Sequence, residues 1–106
     1  MNRRISDHEL RKLRNAIPIA GLIDHFEIPW KIRDDLFRFR CPLCGEDHSA
    51  THPKTNLARC FRCERNFNTI DFVMLVRQSS FLEAVRYLQA HRDRIRDPTA
   101  SPPRLP

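Results

Sequence analysis

The chain is 106 residues long, 41% apolar and 30% charged, with 19 Lys and Arg against 13 Asp and Glu for a formal charge of +6. That length holds one hydrophobic core and leaves no room for a second. The longest apolar runs, Ile17 to Ile23 and Phe72 to Val76, fall far short of the roughly 20 residues of a membrane span, and no apolar stretch follows Met1 as a signal peptide would require. A cytoplasmic protein with no membrane partner is therefore expected.

In chain order, Ser6-Asp7-His8-Glu9 has the form of a capping box, with Ile5 and Leu10 at staple spacing. It predicts a short helix with Leu10, Leu13 and Ile17 on its apolar edge, broken by Pro18. Ile19, Leu22, Ile23 and Phe26 repeat at i, i+3, i+4, i+7 and predict a second helix that ends before Pro29. The period then becomes two: Leu36-Phe37-Arg38-Phe39-Arg40 reads as a strand with its phenylalanines on one face and its arginines on the other. Further strands are expected from about Ser49 to His52 and Leu57 to Phe61, paired antiparallel through the turn Pro53-Lys54-Thr55-Asn56. Asp34-Asp35 reads as a polar turn.

Asn68 or Thr69 then caps a helix through Ile70, Phe72, Val73 and Val76, and a second capping box, Ser80-Phe81-Leu82-Glu83, opens another with Phe81, Ala84, Val85 and Leu88 on its buried face. Phe37, Phe39, Phe72 and Phe81 are assigned to the core. Residues 93–106, with four prolines in the last ten positions, read as a free tail or a linker. The expected fold class is α+β, a small ribbon in an antiparallel sheet flanked by short helices. The domain covers residues 5–92, with the ribbon at about 36–68.

Four cysteines carry the strongest signal. Cys41-Pro42-Leu43-Cys44 and Cys60-Phe61-Arg62-Cys63 stand 15 residues apart, the C-x2-C spacing of a structural zinc site. In a reducing compartment such a set reads as metal ligands rather than as two disulfides. One Zn²⁺ held by Cys41, Cys44, Cys60 and Cys63 has no open coordination position, so it holds structure and activates no water. A thiol redox pair and an iron-sulfur site are the competing readings, and His48 or His52 could replace one cysteine. Gly45 eases the first knuckle, while Glu64 stands where the second would take glycine.

Cys41-Pro42-Leu43-Cys44, Ala58-Arg59-Cys60-Phe61-Arg62-Cys63, Thr69-Ile70-Asp71-Phe72-Val73-Met74 and Ser80-Phe81-Leu82-Glu83-Ala84-Val85 resemble the zinc-binding domain of bacterial and phage DNA primases. The likeness spans roughly Ile17 to Leu88. It implies a ribbon that holds single-stranded template and helps select where a primer begins. Two departures stand out: the bacterial pattern usually has His at the position of Cys44, and glycines are usual after the last cysteine, where this chain has Glu64-Arg65-Asn66-Phe67-Asn68. Asn66 and Asn68 are the residues best suited to left-handed backbone there. The family's polymerising domain would lie beyond the zinc domain, so the module is expected to be non-catalytic and accessory to primer synthesis.

Sixteen of the 19 basic residues are arginine, whose planar, bidentate group suits phosphate oxygens and stacks on bases. Arg38, Arg40, Lys54, Arg59, Arg62 and Arg65 fall on or beside the ribbon, with His52 and Phe61 available for stacking. These eight residues are the expected contacts to single-stranded DNA. The second expectation is an adaptor whose helices dock onto a separate primase catalytic domain or a replicative helicase.

Overall fold

In the computed structural model, which describes residues 5–99, two short helices precede a five-stranded sheet and two helices follow it. They are α1 (Asp7–Ala16), α2 (Ile19–His25), β1 (Trp30–Arg33), β2 (Leu36–Phe39), β3 (Ser49–His52), β4 (Leu57–Cys60), β5 (Arg65–Phe67), α3 (Thr69–Arg77) and α4 (Phe81–His91). The strands pair antiparallel in chain order without a crossover. The architecture is α+β.

The helix starts follow the side-chain chemistry of their caps. Ser6 Oγ accepts the Glu9 amide at 3.1 Å. Asn68 with Asp71, and Ser80 with Glu83, form complete reciprocal boxes at the heads of α3 and α4, each satisfying amides that a helix leaves unpaired. None of the helices exceeds 11 residues, below the length at which an isolated helix is stable in water. Their apolar edges therefore need a common partner, which the sheet supplies.

Phe37 and Phe39 point into that core with Ile17, Leu22, Ile23, Phe67, Ile70, Phe72 and Leu88. Phe72 sits at its centre, edge-on to Phe39 at 6.0 Å and to Phe67 at 6.3 Å between ring centroids. Such edge-to-face pairs add about 0.5–1.5 kcal/mol each beyond burial alone.

The structure departs from the sequence reading in four places. Trp30–Arg33 forms a strand that the sequence reading lacked, joined to β2 by Asp34 and Asp35, both with left-handed φ (55° and 64°). Two successive left-handed residues make the tight turn whose twist matches a hairpin. Arg65–Phe67 also forms a strand, pairing Asn66 with Arg59, and Asn68 has φ −87°. The left-handed residue after the last cysteine is Glu64 itself, at φ 55°. The asparagines are thus taken by pairing and capping, and the turn falls where the knuckle, not residue preference, requires it.

Phe81 is the third departure. It is 46% exposed, because it occupies the first position of α4 and the helix turns only Ala84, Val85 and Leu88 inward. The fourth concerns the segment read as free from Asp93 onward. A 3₁₀ turn spans Arg92–Arg94, and Ile95 is buried at 4% exposure within the core; residues 100–106 of that segment lie outside the described residues.

This last feature explains Gly21. A Cβ at Gly21 would lie 2.6 Å from the Arg96 carbonyl oxygen and 2.7 Å from its carbon, so α2 and the segment after α4 approach backbone to backbone. Gly21→Ala should therefore cost about 1–3 kcal/mol through forced displacement, even though alanine is the better helix former. Urea unfolding of the zinc-loaded variant checks this, and an unchanged midpoint would mean that the Ile95 segment does not pack on α2.

Candidate metal centre and basic face

The two Cys-x-x-Cys turns close on each other at one end of the sheet. Cys41 follows β2, Cys60 ends β4, and both are buried; Cys44 and Cys63 lie on the outer side of each turn. The four Sγ atoms lie within 4.8 Å of one another, with 3.9 Å between Cys41 and Cys63 and 3.6 Å between Cys44 and Cys60. A tetrahedron with Zn–S bonds near 2.3 Å has an edge of about 3.8 Å. The donor set thus fits one zinc ion, and its separations are those of a coordination shell, far longer than a disulfide.

The turns share a left-handed exit but differ in which amide meets the first sulfur. The Leu43 amide donates to Cys41 Sγ at 3.3 Å, and the Cys63 amide donates to Cys60 Sγ at 3.3 Å. Gly45 at φ 76° and Glu64 at φ 55° occupy equivalent left-handed positions after the second cysteine of each turn. Glycine adopts this geometry freely, whereas Glu64 does so at some conformational cost. Among the described residues no other group of three or more His, Cys, Asp or Glu side chains converges in this way, so neither His48 nor His52 joins the set.

The thiols do not hold their protons equally. Burial pushes the Cys60 thiol up, but the nearby Ser49 hydroxyl, the Cys63 amide and the neighbouring thiols outweigh this and bring it down to about 6. Ser49 sits directly opposite Cys60 in the ladder, and its buried hydroxyl makes no full hydrogen bond among the described residues. Cys63 is pushed up to about 12, chiefly by its hydrogen bond to Cys60, and Cys41 is raised chiefly by burial. Cys60 is the natural first thiolate, and a divalent cation overrides these differences by holding all four as thiolates.

Cross-strand register divides the expected contacts. Residues directly opposite in a ladder share a face, so Lys31, Arg38, Ala50, Arg59 and Asn66 form one row across all five strands. Arg33 and His52 lie on the same face in neighbouring pairs, and Arg40 follows Arg38 two residues on. The helices pack on the opposite face, through Phe37, Phe39 and Phe67. Arg38, Arg40, His52 and Arg59 are thus brought together. Lys54 lies in the β3–β4 turn, while Phe61 and Arg62 lie on the second knuckle. Arg65 is directed elsewhere: it pairs opposite Cys60, and its guanidinium lies over the Phe67 ring, 5.4 Å from the centroid.

The sequence reading missed Lys31 and Arg33. Their signal was present in Trp30-Lys31-Ile32-Arg33, which alternates apolar and basic and mirrors β2 across the Asp34-Asp35 turn. Phe61 is 60% exposed and carries the Arg59 guanidinium 5.6 Å from its ring centroid. It projects from the knuckle rather than packing beneath it.

A short antiparallel sheet closed at one end by a four-sulfur tetrahedron defines a structural zinc ribbon. The chain belongs to the CHC2 zinc finger family, whose family model, of the DnaG zinc-ribbon type, matches residues 5–100. It is also 28% identical over 87 residues to a DNA primase of Streptomyces coelicolor, an alignment covering 80% of this chain and 14% of the primase. The chain therefore corresponds to a small part of that relative's length, and the likeness is to a primase zinc-binding domain.

Proposed function

We propose that this zinc ribbon holds single-stranded DNA template on the open face of its sheet and supports primer initiation in DNA replication, with the polymerising chemistry supplied by a separate catalytic domain. The observation that carries this reading is the in-register row Lys31–Arg38–Arg59, flanked by Arg33, Arg40 and His52 on the face opposite the one that packs on the helices among the described residues. Lys54 and Arg62 extend the positive surface at its margins, and Phe61 offers an exposed ring. Single strands are held by such a combination, phosphates by the cations and bases by stacking on an aromatic ring. Arg65 belongs to the reading only as a contributor to the overall field. A metal with four thiolate ligands contributes rigidity and no Lewis-acid chemistry.

Fluorescence anisotropy with a labelled oligothymidylate at several salt concentrations tests the reading. About four phosphate contacts give a slope of log affinity against log salt near −3. Phe61→Ala should lose about 1–3 kcal/mol of binding, the contribution of one stacked base. Absence of binding, or binding indifferent to salt, overturns the reading.

A second reading has its own observation. Phe81 and Leu82 stand exposed side by side at the head of α4, on an element remote from the basic row. They would suit docking onto a separate primase catalytic domain or a replicative helicase. Retention of such a partner by the wild-type protein and its loss in a Phe81→Ser/Leu82→Ser double variant would support an adaptor role. Among the described residues no helix is long and apolar enough to cross a membrane.

A further inference from the structure

At the head of the β1–β2 ladder, next to the first knuckle, lies a cavity of about 110 Å³ lined by Pro29, Trp30, Lys31, Arg38, Arg40 and Asp47, among others. Lys31 is directly opposite Arg38, and Arg40 continues the same face, its amide bonded to the Pro29 carbonyl at 3.1 Å. Three cations thus border one small recess. The space holds several water molecules, room enough for one phosphate group.

Two further facts bear on how it would take an anion. The Arg38 Nε–H is buried and has no acceptor among the described residues, although buried donors are nearly always paired. Asp47 reaches in from the loop before β3 and lies 3.5 Å from Arg40 Nε, the one ion pair among the described residues. Both partners are more than half exposed, so the pair is weak and readily exchanged. The carboxylate stands where an incoming phosphate oxygen would pair with Arg40, and as an anion it also repels that phosphate.

We propose that this recess seats a single phosphate group through Lys31, Arg38 and Arg40, and that Asp47 competes with that phosphate for Arg40. The proposal rests on the reading that the open face binds a nucleic-acid strand, and it locates one point of that contact. The phosphate is either an internal one of the strand or a group at its 5′ end, since the recess recognises only the phosphate. Asp47 is a positioning residue, setting how tightly the strand is held and how strongly binding depends on salt.

The test uses the zinc-loaded full chain and oligothymidylate labelled at its 3′ end. Asp47→Asn is expected to tighten binding about threefold at low salt. The same charge change far from the recess, Asp93→Asn, should leave affinity within about 1.5-fold. Lys31→Gln and Arg38→Gln should each weaken binding about threefold and reduce the salt slope by about 0.7. A 5′-phosphorylated oligonucleotide that binds several-fold tighter than its 5′-hydroxyl counterpart assigns the seat to a terminal phosphate, and equal affinities assign it to the backbone. In parallel, the Arg38 Nε–H signal is followed by ¹⁵N NMR during titration with inorganic pyrophosphate, and a saturable shift is expected. If the oligonucleotide binds but Asp47→Asn fails to tighten it, or if the Arg38 signal stays fixed, the proposal is wrong. If the oligonucleotide does not bind while the Arg38 signal shifts with pyrophosphate, the phosphate seat stands and the strand-binding reading falls.

Discussion

Removing zinc is expected to unfold the domain. Titration of the purified protein with a strong chelator should abolish most far-ultraviolet helix signal and the native fluorescence of Trp30, and stoichiometric zinc should restore both. The expectation rests on magnitudes. Structural zinc binding contributes about 10–16 kcal/mol at neutral pH, against about 5–15 kcal/mol for the whole stability of a typical domain. The strands have three or four residues and the helices 7 to 11, so no element persists alone. Cys41 and Cys60 also belong to the hydrophobic core, and four uncoordinated thiols would leave polar groups close together at its edge.

Cys60→Ser should behave like chelation, because it removes the thiol that ionises most readily, near 6, and leaves three ligands. Acid should release the metal as well. Zinc binds thiolates, so at neutral pH it displaces protons from Cys63 and Cys41, whose thiols are raised, and apparent affinity climbs with pH and drops on acidification. A colorimetric zinc indicator followed during acidification measures this. Full folding in excess chelator, or release that ignores pH, would refute the account.

How far the sequence carries to this fold depends on whether a feature is local. The four cysteines were legible because spacing alone sets a chelating turn. The caps at Ser6 and Ser80 were legible, and that of α3 was narrowed to Asn68 or Thr69, because capping chemistry spans only four residues. The strand at Leu36–Phe39 showed itself by alternation. β1 alternates too, but its turn is Asp34-Asp35 rather than the Asn-Gly or Asp-Gly that usually marks a tight hairpin, and its place in the sheet comes from pairing with β2. β5 is three residues long, too short for any period to show.

Phe81 satisfied the helical repeat yet lies at an end where the core has already curved away. Ile95 follows residues with no apolar period and is buried only because Gly21 lets the backbone come close. The same division holds for the candidate site. The metal ligands could be read from spacing. The grouping of Lys31, Arg38 and Arg59 could not, since it is a property of register across four strands.

Asn56→Ala should be the most damaging substitution outside the metal centre. Asn56 closes the β3–β4 turn with φ 56° and reaches across to the junction of α1 and α2. Its Oδ1 accepts the Ile19 amide at 2.9 Å, and its Nδ2 donates to the Arg14 carbonyl at 2.6 Å and the Ile17 carbonyl at 2.7 Å. Pro18 explains the need. A proline between two helices supplies no amide of its own, so the last carbonyls of α1 and the first amide of α2 must find partners elsewhere. One side chain satisfies all three.

Truncation leaves these groups unpaired in a half-buried setting, at a cost of about 3 kcal/mol, with about 1 kcal/mol more for alanine in the left-handed region. At about 4–8 °C per kcal/mol for a domain of this size, the melting temperature should fall by roughly 15–30 °C. Asn56→Gly keeps the backbone conformation without the hydrogen bonds, so it should lose most of the same stability and separate the two contributions. Asn56→Asp is the sharper test, since it retains the acceptor for Ile19 but turns an oxygen toward two carbonyl oxygens. It should be at least as damaging as alanine at neutral pH. Thermal unfolding of the zinc-loaded variants measures all three, and an Asn56→Asp protein as stable as wild type would show that the helix junction is held by packing alone.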